Sequence, residues 1–339
     1  MNPEAPTDAD LAIGVDLGGT KILAALVAKD GGTVMTTRRE TDVDGGFDAV
    51  VGQIADAAGE CREAASGSAV AAMGIGVAGQ VSADSGVVVR APNLFWEDVP
   101  LRAELEEALS LPVTVLNDVR AAAWGEWRHG AGEGRQDIAV VFVGTGLGGG
   151  VVSGGRMVTG CTNTAGELGH TTVVAGGREC RCGNRGCLEA YAGGWGIAER
   201  AREAVEGDPD AGARLLERVG AMEDITAETV HEARAANDPL ATRLVDETAD
   251  YLSAGMVSVV NAFNPCRLVL GGGIVEHAPL YVDRVRDHVR AYALAAGVRG
   301  LRVVKAALGD EAGVLGAASC ARSQNGGTSF EGLHEESGP

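Results

Sequence analysis

The chain has 339 residues, of which 45 % are hydrophobic and 22 % are charged. These fractions are ordinary for a folded protein, and the length predicts two packed lobes rather than one core. The net charge of −19 disfavours a nucleic-acid partner, because phosphate backbones attract clustered positive charge. No apolar run reaches the ~18–20 residues of a membrane span, and residues 1–10 are acidic without an apolar signal core. We expect a cytoplasmic protein that binds neither nucleic acid nor membrane.

Strands and helices alternate along the chain, which predicts an α/β protein. The first part predicts strands Leu11–Leu17, Ile22–Ala28 and Thr33–Glu40, helix Phe47–Ala65, strand Ala71–Val77, helix Leu101–Leu109, strand Val113–Leu116 and helix Val119–Trp127. The second part predicts strands Asp137–Val143 and Val151–Ser153, mainly helix from Leu188 to Asn261, strand Arg267–Leu270, helix Pro279–Ala296, strand Leu301–Lys305 and helix Glu311–Ala321. Residues 323–339 lack periodicity and are predicted to form a flexible tail.

Two glycine-rich turns each separate a pair of predicted strands. The first lies within Asp16–Lys21 and the second is Gly144–Gly150. Glycine lets backbone N–H groups approach phosphate oxygens without a Cβ in the way. Thr20 can add a hydroxyl, Lys21 a positive charge and Asp16 a water-bridged Mg²⁺. A plain hairpin turn is the alternative at each place. Two such turns could bind a polyphosphate from both sides. The repeat of the pattern also indicates two lobes of similar design.

Asn117 and Asp118 follow a predicted strand, at the end where open α/β sheets bind ligands. An aspartate there can accept the proton of a substrate hydroxyl during phosphoryl transfer. Asp118 can equally cap the helix that begins at Val119. The local sequence leaves both interpretations open.

Three cysteines lie close together, as Cys180-x-Cys182-x₄-Cys187, and His170 precedes them. One imidazole and three thiolates complete a closed tetrahedral zinc site, which is structural rather than catalytic. Zinc would give a fixed shape to a glycine-rich loop, and free thiols are the alternative. The scattered cysteines are expected to be inert thiols: Cys61, Cys161, Cys266 and Cys320.

Two glutamates accompany this cluster. A zinc-bound loop would also position Glu167, His170 and Glu189. Carboxylates accept hydrogen bonds from vicinal hydroxyls, and an imidazole with one nitrogen on zinc can bind a hydroxyl with the other. The spacing therefore allows a site for a polyhydroxy ligand, although exposed glutamates taken alone are more often solvated surface residues.

Together these motifs resemble those of the ROK family of sugar kinases, over roughly residues 11–322. Asp16–Lys21 and Gly144–Gly150 match its two phosphate motifs, Glu167–His170 its sugar motif and Cys180–Glu189 its zinc signature. The resemblance implies the two-lobed actin-like ATPase (hexokinase) fold. It also implies ATP-dependent phosphorylation of a hexose hydroxyl, usually at C6, with glucose as the first candidate, as in the bacterial glucokinases of that family.

The same resemblance implies a role for each matching position, with Asp118 as the general base. The sugar would be bound by Gly79, Asn93, Asn117, Asp118, Glu167, His170 and Glu189. ATP with Mg²⁺ would be bound by Asp16, Gly18, Gly19, Thr20, Lys21, Gly144, Thr145, Gly146, Gly271, Gly272 and Gly273. Structural Zn²⁺ would be bound by His170, Cys180, Cys182 and Cys187. A homodimer or homotetramer is expected on the same ground.

The expected N-terminal lobe is residues 1–120 together with a returning helix at 311–322. The expected C-terminal lobe, with the zinc loop, is residues 121–310, and residues 323–339 form the tail. ATP–Mg²⁺ is expected between the two glycine turns, in a cleft that the lobes form, with the sugar bound deeper.

Two positions depart from the family's usual residues. Arg120 stands where a small amide is usual, so it either forms a surface pair or touches the pocket wall, and Gln80 stands where proline is frequent. These departures leave the acceptor open among glucose, mannose, fructose, N-acetylmannosamine, N-acetylglucosamine and a C7-cyclitol. Polyphosphate remains an alternative to ATP as donor.

Two other classes of protein belong to the same family and are alternatives to an enzyme. A non-catalytic sugar sensor would use the same pocket, but it should lack the base that Asp118 provides. The repressors of the family carry an N-terminal helix-turn-helix, for which the residues before Leu11 leave no room. We therefore expect an enzyme.

Overall fold

A computed structural model describes residues 11–82 and 84–325. The predicted tail at 323–339 lies outside the described residues from 326 onward. Residues 323–325 contradict the prediction, because they continue the last helix, in which the Ser323 hydroxyl donates to the Ser319 carbonyl (2.9 Å).

The strands and helices alternate as predicted, with small shifts at their ends. Up to residue 130 they are β1 (Leu11–Leu17), β2 (Lys21–Ala28), β3 (Thr33–Glu40), α1 (Gly46–Ala64), β4 (Val70–Val77), β5 (Gln80–Val81), β6 (Val88–Ala91), β7 (Trp96–Val99), α2 (Leu101–Leu109), β8 (Val113–Asn117) and α3 (Asp118–His129). After residue 130 they are β9 (Ile138–Val143), β10 (Leu147–Ser153), β11 (Arg156–Met157), α4 (Glu189–Ala192), α5 (Gly194–Gly207), α6 (Pro209–Val219), α7 (Ala227–Ala235), α8 (Pro239–Phe263), β12 (Arg267–Gly271), α9 (Gly273–His277), α10 (Leu280–Tyr292), β13 (Arg302–Lys305) and α11 (Ala312–Asn325).

The chain divides into two compact units. The first comprises the residues up to Gly130 and those from Asp310 on, and the second is Ala131–Gly309. The predicted boundary at 120/121 differs, because it would cut α3. That helix stays with the first unit because a Cβ on its Gly125 would lie 2.3 Å from the Ala312 carbonyl of α11, so the two backbones are in close contact.

The first unit is built on a five-stranded sheet in the order β3-β2-β1-β4-β8. β1, β4 and β8 are parallel, while β1–β2 and β2–β3 are antiparallel hairpins. Alternate residues of β1 point to opposite faces. Ile13 and Val15 join the apolar cluster that includes α1 and α2, whereas a Cβ on Gly14 would lie 1.9 Å from the Val314 carbonyl of α11. Helices therefore cover both faces of this sheet.

The second unit repeats this design. Its sheet has the order β11-β10-β9-β12-β13, again with two antiparallel hairpins followed by parallel strands. The repeated strand–glycine turn–strand pattern of the sequence is thus confirmed in the topology. The segment from 188 to 261 is mainly helical, as predicted, and its longest helix α8 begins with Pro239 behind the Asp238 cap, which accepts from the Ala241 N–H (2.8 Å).

The sequence did not predict the shortest elements. β5, β6 and β7 form a three-stranded antiparallel sheet, β11 extends the second large sheet, and α9 follows β12. Two to five residues are too few for a hydrophobic period, so pairing with neighbouring strands defines these elements. Of the helices that the structure describes, none is long and apolar enough to cross a membrane.

Candidate active site

Three parallel strands of the first unit end at the same edge of their sheet. Asp16 lies at the end of β1, Gly79 follows β4, and Asn117 ends β8. Parallel strands gather the residues at their carboxyl ends, so the topology brings together polar groups that are far apart in sequence.

Asn117, not Asp118, caps helix α3. The Asn117 Oδ1 accepts from the Arg120 N–H (3.1 Å), and its Nδ2 donates to the Gly79 carbonyl (3.2 Å) and to Asp118 Oδ1 (2.9 Å). The capping interpretation of Asp118 is therefore wrong. Its carboxylate stands in the first turn of α3, where the helix dipole stabilises negative charge. Both donated hydrogen bonds of the Asn117 amide thus have acceptors in the protein, and the bond to Asp118 fixes that carboxylate.

Asp16 lies in the electrostatic field of Asp118. The pKa of the Asp16 carboxyl is raised from 3.8 to about 6, chiefly by burial and then by the negative charge of Asp118, with Lys21 lowering it and Asp310 adding a smaller upward effect. Lys21 Nζ lies 4.0 Å from Asp310 Oδ2 at the first glycine turn. A half-buried carboxylate with negative neighbours favours a bound cation, which is the property that the predicted Mg²⁺ role of Asp16 requires.

The first glycine turn is closed and packed against a neighbouring loop. The Gly18 N–H donates to the Lys21 carbonyl (2.9 Å), and the Thr41 hydroxyl donates to the Gly18 carbonyl (2.8 Å). A Cβ on Gly19 would lie 2.7 Å from the Asn93 carbonyl, so only glycine fits there. Thr20 is exposed at the tip of the turn. The loop that carries Asn93 is thereby placed beside the turn.

Gly79 and the two departing residues each have a defined environment. A Cβ on Gly79 would lie 2.5 Å from the Arg90 carbonyl, and Gln80 is exposed on β5, where it pairs with Arg90. Arg120 is only 6 % exposed, so its interpretation as a surface pair is wrong. Its positive charge acts on Cys320 of α11, where it opposes the burial that raises the pKa of that thiol to about 12.

In the second unit, the glycine turn Gly144–Gly146 joins β9 to β10. The Gly144 N–H donates to the Gly146 carbonyl (2.9 Å), and Val143 pairs with Leu147 across the hairpin. The rest of the predicted turn, residues 147–150, belongs to β10. The carboxylate of Glu189 accepts from the Leu147 N–H (2.8 Å) at this turn.

The Glu167–His170 motif forms a short 3₁₀ turn that packs against β10. A Cβ on Gly169 would lie 1.9 Å from the Leu147 carbonyl, which explains the glycine between Glu167 and His170. Glu167 is exposed and His170 is half-buried. The motif therefore presents a carboxylate to the solvent while its imidazole turns towards the cysteine loop.

The four predicted metal ligands come together. The ligand atoms of His170, Cys180, Cys182 and Cys187 all lie within 4.8 Å of one another. The sulfurs of Cys182 and Cys187 are 3.7 Å apart, and Cys180 Sγ lies 3.7 Å from His170 Nδ1. A tetrahedral zinc with Zn–S bonds of about 2.3 Å separates two sulfurs by about 3.8 Å, so this donor set fits a structural zinc ion.

The cysteine loop is also tied to the neighbouring helix. Arg178 makes a bidentate pair with Glu203 of α5 (2.6 and 2.7 Å), and Arg181 pairs with Glu199 (3.4 Å). The remaining cysteines are free: Cys61 and Cys320 are buried, while Cys161 and Cys266 are exposed. The loop thus has protein contacts in addition to its metal-ligand set.

Gly271–Gly273 connect β12 to α9. Gly272 has φ of +88°, and a Cβ there would lie 2.5 Å from the Val143 carbonyl. A Cβ on Gly271 would lie 2.7 Å from Ala306, whereas one on Gly273 would meet nothing within 4 Å. Close packing therefore accounts for glycine at positions 271 and 272, whereas no neighbour restricts the residue at position 273.

Trp195 is a site residue that the sequence reasoning missed. Its indole N–H donates to Glu189 Oε1 (3.1 Å), and its ring lies under the guanidinium of Arg181 (4.6 Å). An aromatic residue in a predicted helix carries no signal for such a bond. Only its position after the glycine pair Gly193-Gly194 hinted at a close approach.

The class of protein follows from the two large sheets. They have equivalent strand orders, and each has a glycine turn in its first hairpin. The fold is the two-lobed actin-like ATPase (hexokinase) fold, as the sequence predicted. A conserved-family model described as ROK family matches residues 12–324. The chain belongs to the ROK family, which confirms the resemblance.

Several characterised relatives are similar over nearly their whole length. The glucokinase of Streptomyces coelicolor is 35 % identical over 314 residues, which cover 92 % of this chain and 98 % of that protein. The glucokinase of Halalkalibacterium halodurans is 37 % identical over 308 residues, or 90 % and 92 % of the two chains. The structure of a ROK family glucokinase from Streptomyces griseus, in complex with glucose and AMPPNP, matches with a TM-score of 0.76 at 37 % identity, over 92 % of this chain and 99 % of that one.

Proposed function

We propose that the protein transfers the γ-phosphoryl group of ATP to a hexose, with glucose as substrate and glucose 6-phosphate as product. The observation that carries the proposal is the carboxylate of Asp118. It directly follows the carboxyl end of the parallel strand β8, is fixed by the Asn117 amide and has no capping role. Similarity to two glucokinases over most of the chain supports the choice of glucose.

The reaction follows from these groups. Asp118 accepts the proton of the sugar hydroxyl while that oxygen attacks the γ-phosphorus, and the bond to the β-phosphate oxygen breaks to release ADP. Most of the acceleration comes from positioning and charge neutralisation. Asn117 contributes by holding the base, since its two amide hydrogens are directed at Gly79 and Asp118. A neutral asparagine steadies the carboxylate without neutralising it.

Nucleotide binding is assigned to glycine turns with closely approaching backbones. In the first unit these are Gly18, Gly19 and Thr20, with Lys21 and a Mg²⁺ ion held through water by Asp16. In the second unit they are Gly144, Thr145 and Gly146, with Gly271, Gly272 and Gly273 near the base of the nucleotide. AMPPNP in the Streptomyces griseus structure supports ATP rather than polyphosphate as donor.

Sugar binding is assigned to the backbone at Gly79 and, at the other positions, to side chains with hydroxyl-binding chemistry. Gly79, Asn93, Asn117 and Asp118 belong to the first unit, and Glu167, His170 and Glu189 to the second. His170 directs Nδ1 to Cys180, so Nε2 is the nitrogen that can bind a hydroxyl. Structural zinc, held by His170, Cys180, Cys182 and Cys187, would supply a fixed shape to this loop and no catalytic step.

A coupled ADP-release assay on a panel of acceptors tests the proposal. The panel contains glucose, mannose, fructose, N-acetylmannosamine, N-acetylglucosamine and a C7-cyclitol, each with ATP and with polyphosphate. We expect the highest kcat/KM for glucose with ATP. A higher value for another acceptor would assign that sugar instead, and no turnover with any acceptor, together with measurable glucose binding, would identify a sugar sensor.

Two properties of the whole protein complete the proposal. We propose a cytoplasmic location and a homodimer or homotetramer, on the basis of family membership. Light scattering coupled to gel filtration measures the oligomeric state directly. A monomeric mass at all concentrations would remove that part of the proposal without affecting the catalytic part.

A further inference from the structure

The turn Gly144–Gly146 rests on the start of helix α5. The Gly194 N–H donates to the Gly144 carbonyl (2.9 Å), and the Trp195 N–H donates to the Thr145 carbonyl (3.0 Å). The first N–H groups of a helix have no partner within the helix, so they are available for such bonds. Two backbone hydrogen bonds therefore fix the carbonyl groups of Gly144 and Thr145.

The side chain of Glu189 fixes the residue that follows the turn. Glu189 Oε2 accepts from the Leu147 N–H (2.8 Å), immediately after the turn. A Cβ on Gly146 would lie 2.6 Å from the same oxygen, so the carboxylate lies directly against the backbone. Charge-assisted bonds to a carboxylate are roughly twice as strong as bonds between neutral groups. Glu189 therefore restrains the turn in addition to its proposed role in sugar binding.

Trp195 determines where this carboxylate points. Its indole N–H donates to Glu189 Oε1 (3.1 Å), and its side chain is 9 % exposed. The Arg181 guanidinium lies 4.6 Å above its ring and covers it. The two oxygens of Glu189 thus have one donor each, and the buried indole prevents the carboxylate from rotating away from Leu147.

We propose that Trp195 is a positioning residue that fixes the Gly144–Gly146 turn through Glu189 and thereby sets the affinity for the nucleotide. The restraint of the turn follows from the contacts alone. The effect on nucleotide affinity rests on the proposed function, which assigns the turn to ATP. The two parts are measured separately.

Hydrogen–deuterium exchange tests the restraint without any substrate. Trp195→Phe keeps an aromatic ring under Arg181 but removes the indole N–H. We expect the Leu147 amide to exchange at least about threefold faster in this variant, because the acceptor of its hydrogen bond is no longer held. Unchanged exchange at Leu147 would overturn the proposal, whatever the protein binds.

Two further variants distinguish an effect that Trp195 exerts through Glu189 from a general destabilisation of this region. Arg181→Gln removes the cation over the ring but keeps the indole N–H, so exchange at Leu147 should stay at the wild-type rate. Glu189→Gln keeps the volume but replaces one acceptor oxygen by a donor group, so it should accelerate exchange even if Trp195→Phe folds poorly. The double variant should exchange no faster than Glu189→Gln alone, and an additive increase would show that Trp195 does not act through Glu189.

Calorimetric titration with AMPPNP, in the absence of sugar, tests the consequence for binding. We expect the Kd to rise about three- to tenfold in Trp195→Phe and to stay unchanged in Arg181→Gln. Faster exchange with an unchanged Kd would overturn the link between the restraint and affinity. Failure of the wild-type protein to bind AMPPNP would overturn the proposed function, while the exchange rates still decide the restraint.

Discussion

The side chain of Asn117 connects three groups at the candidate site. It caps α3, contacts the Gly79 carbonyl and donates to the Asp118 carboxylate. The neutral Asn117 therefore supplies the cap of α3, and the charged residue next to it does not. At the scale of single residues, the structure thus excludes the capping role, one of the two roles for Asp118 that the sequence allowed equally.

Asp118→Asn tests the assignment of the base. The substitution keeps the shape of the side chain but removes the proton acceptor, so kcat should fall by about 10²–10⁴-fold while glucose still binds. The measurement is ADP release at saturating glucose and ATP. Asp56→Asn, on the exposed face of α1, is the matched control and should keep full turnover. Near-normal turnover in Asp118→Asn would show that another group is the base.

Asp16→Asn tests the electrostatic environment of the first turn. Burial, followed by the charge of Asp118, accounts for the rise in the pKa of Asp16 from 3.8 to about 6, so the folded protein binds a proton between about pH 4 and 6 that the unfolded chain releases. Stability is therefore lost as pH rises through that window. Asn cannot ionise, so the variant should be more stable at pH 7.5, by an amount on the order of 1–3 kcal/mol.

The difference between Asp16→Asn and wild type should shrink towards zero near pH 4, where both side chains are neutral. Denaturant unfolding in magnesium-free buffer at the two pH values measures it. Equal stability of the two proteins at pH 7.5 would contradict the raised pKa.

At the scale of elements, backbone contact between α3 and α11 explains why two distant segments form one unit. A Cβ on Gly316 of α11 would lie 1.7 Å from the Ala121 carbonyl of α3, and a Cβ on Gly125 would lie 2.3 Å from the Ala312 carbonyl. Glycines on both helices allow this approach. The sequence contains these glycines, but their partners are almost 200 residues away.

Gly316→Ala should separate the two helices and destabilise the first unit by about 1–3 kcal/mol or more, because the added methyl group meets backbone atoms that cannot move aside. The free energy of unfolding in urea measures the effect. Gly52→Ala on α1 is the matched control. A Cβ there meets nothing within 4 Å, so this substitution should stabilise the protein by about 0.5–1 kcal/mol. Equal effects of the two changes would contradict the close contact.

Cys182→Ser tests the zinc loop as an element. If zinc is bound as proposed, removing one thiolate from the donor set should release it and raise the KM for glucose more than the KM for ATP, because the proposal assigns His170 to both the metal and the sugar. Elemental analysis of the purified protein and steady-state kinetics are the measurements. Cys161→Ser changes an exposed cysteine outside the cluster and should retain the metal. A wild-type protein without bound metal would contradict the zinc assignment.

At the scale of the whole molecule, the first unit is discontinuous in sequence. Helix α11 returns to it after 179 residues of the second unit and packs on β1, β4 and α3 with its buried side chains, among them Val314 and Ala318. The sequence predicted this return from the family resemblance. The structure gives its reason, because Gly14 and Gly74 leave room on the sheet only for the backbone of that helix.

Removal of α11 should prevent the first unit from folding. A chain that ends after Gly309 exposes the sheet face on which α11 packs, so we expect it to aggregate or to lose part of its circular-dichroism signal. A chain that ends after residue 325 keeps the whole helix and should behave as the full-length protein. Soluble expression and thermal unfolding of the two chains measure the difference. A soluble, cooperatively folded chain ending at 309 would contradict the prediction.

The sequence by itself predicted the order of the longer elements, the fold class, the two glycine turns and the four residues that come together as a candidate metal-ligand set. Each of these depends on residues that are neighbours in the chain, such as Cys180–Cys187, or on a hydrophobic period of several turns. The tertiary structure alone decided that Asn117 is the cap, that Arg120 is buried and that Glu189 and Trp195 restrain the turn at Gly144. These depend on strand ends and helix termini meeting across long sequence separations, and no local pattern encodes which partner fills a given contact.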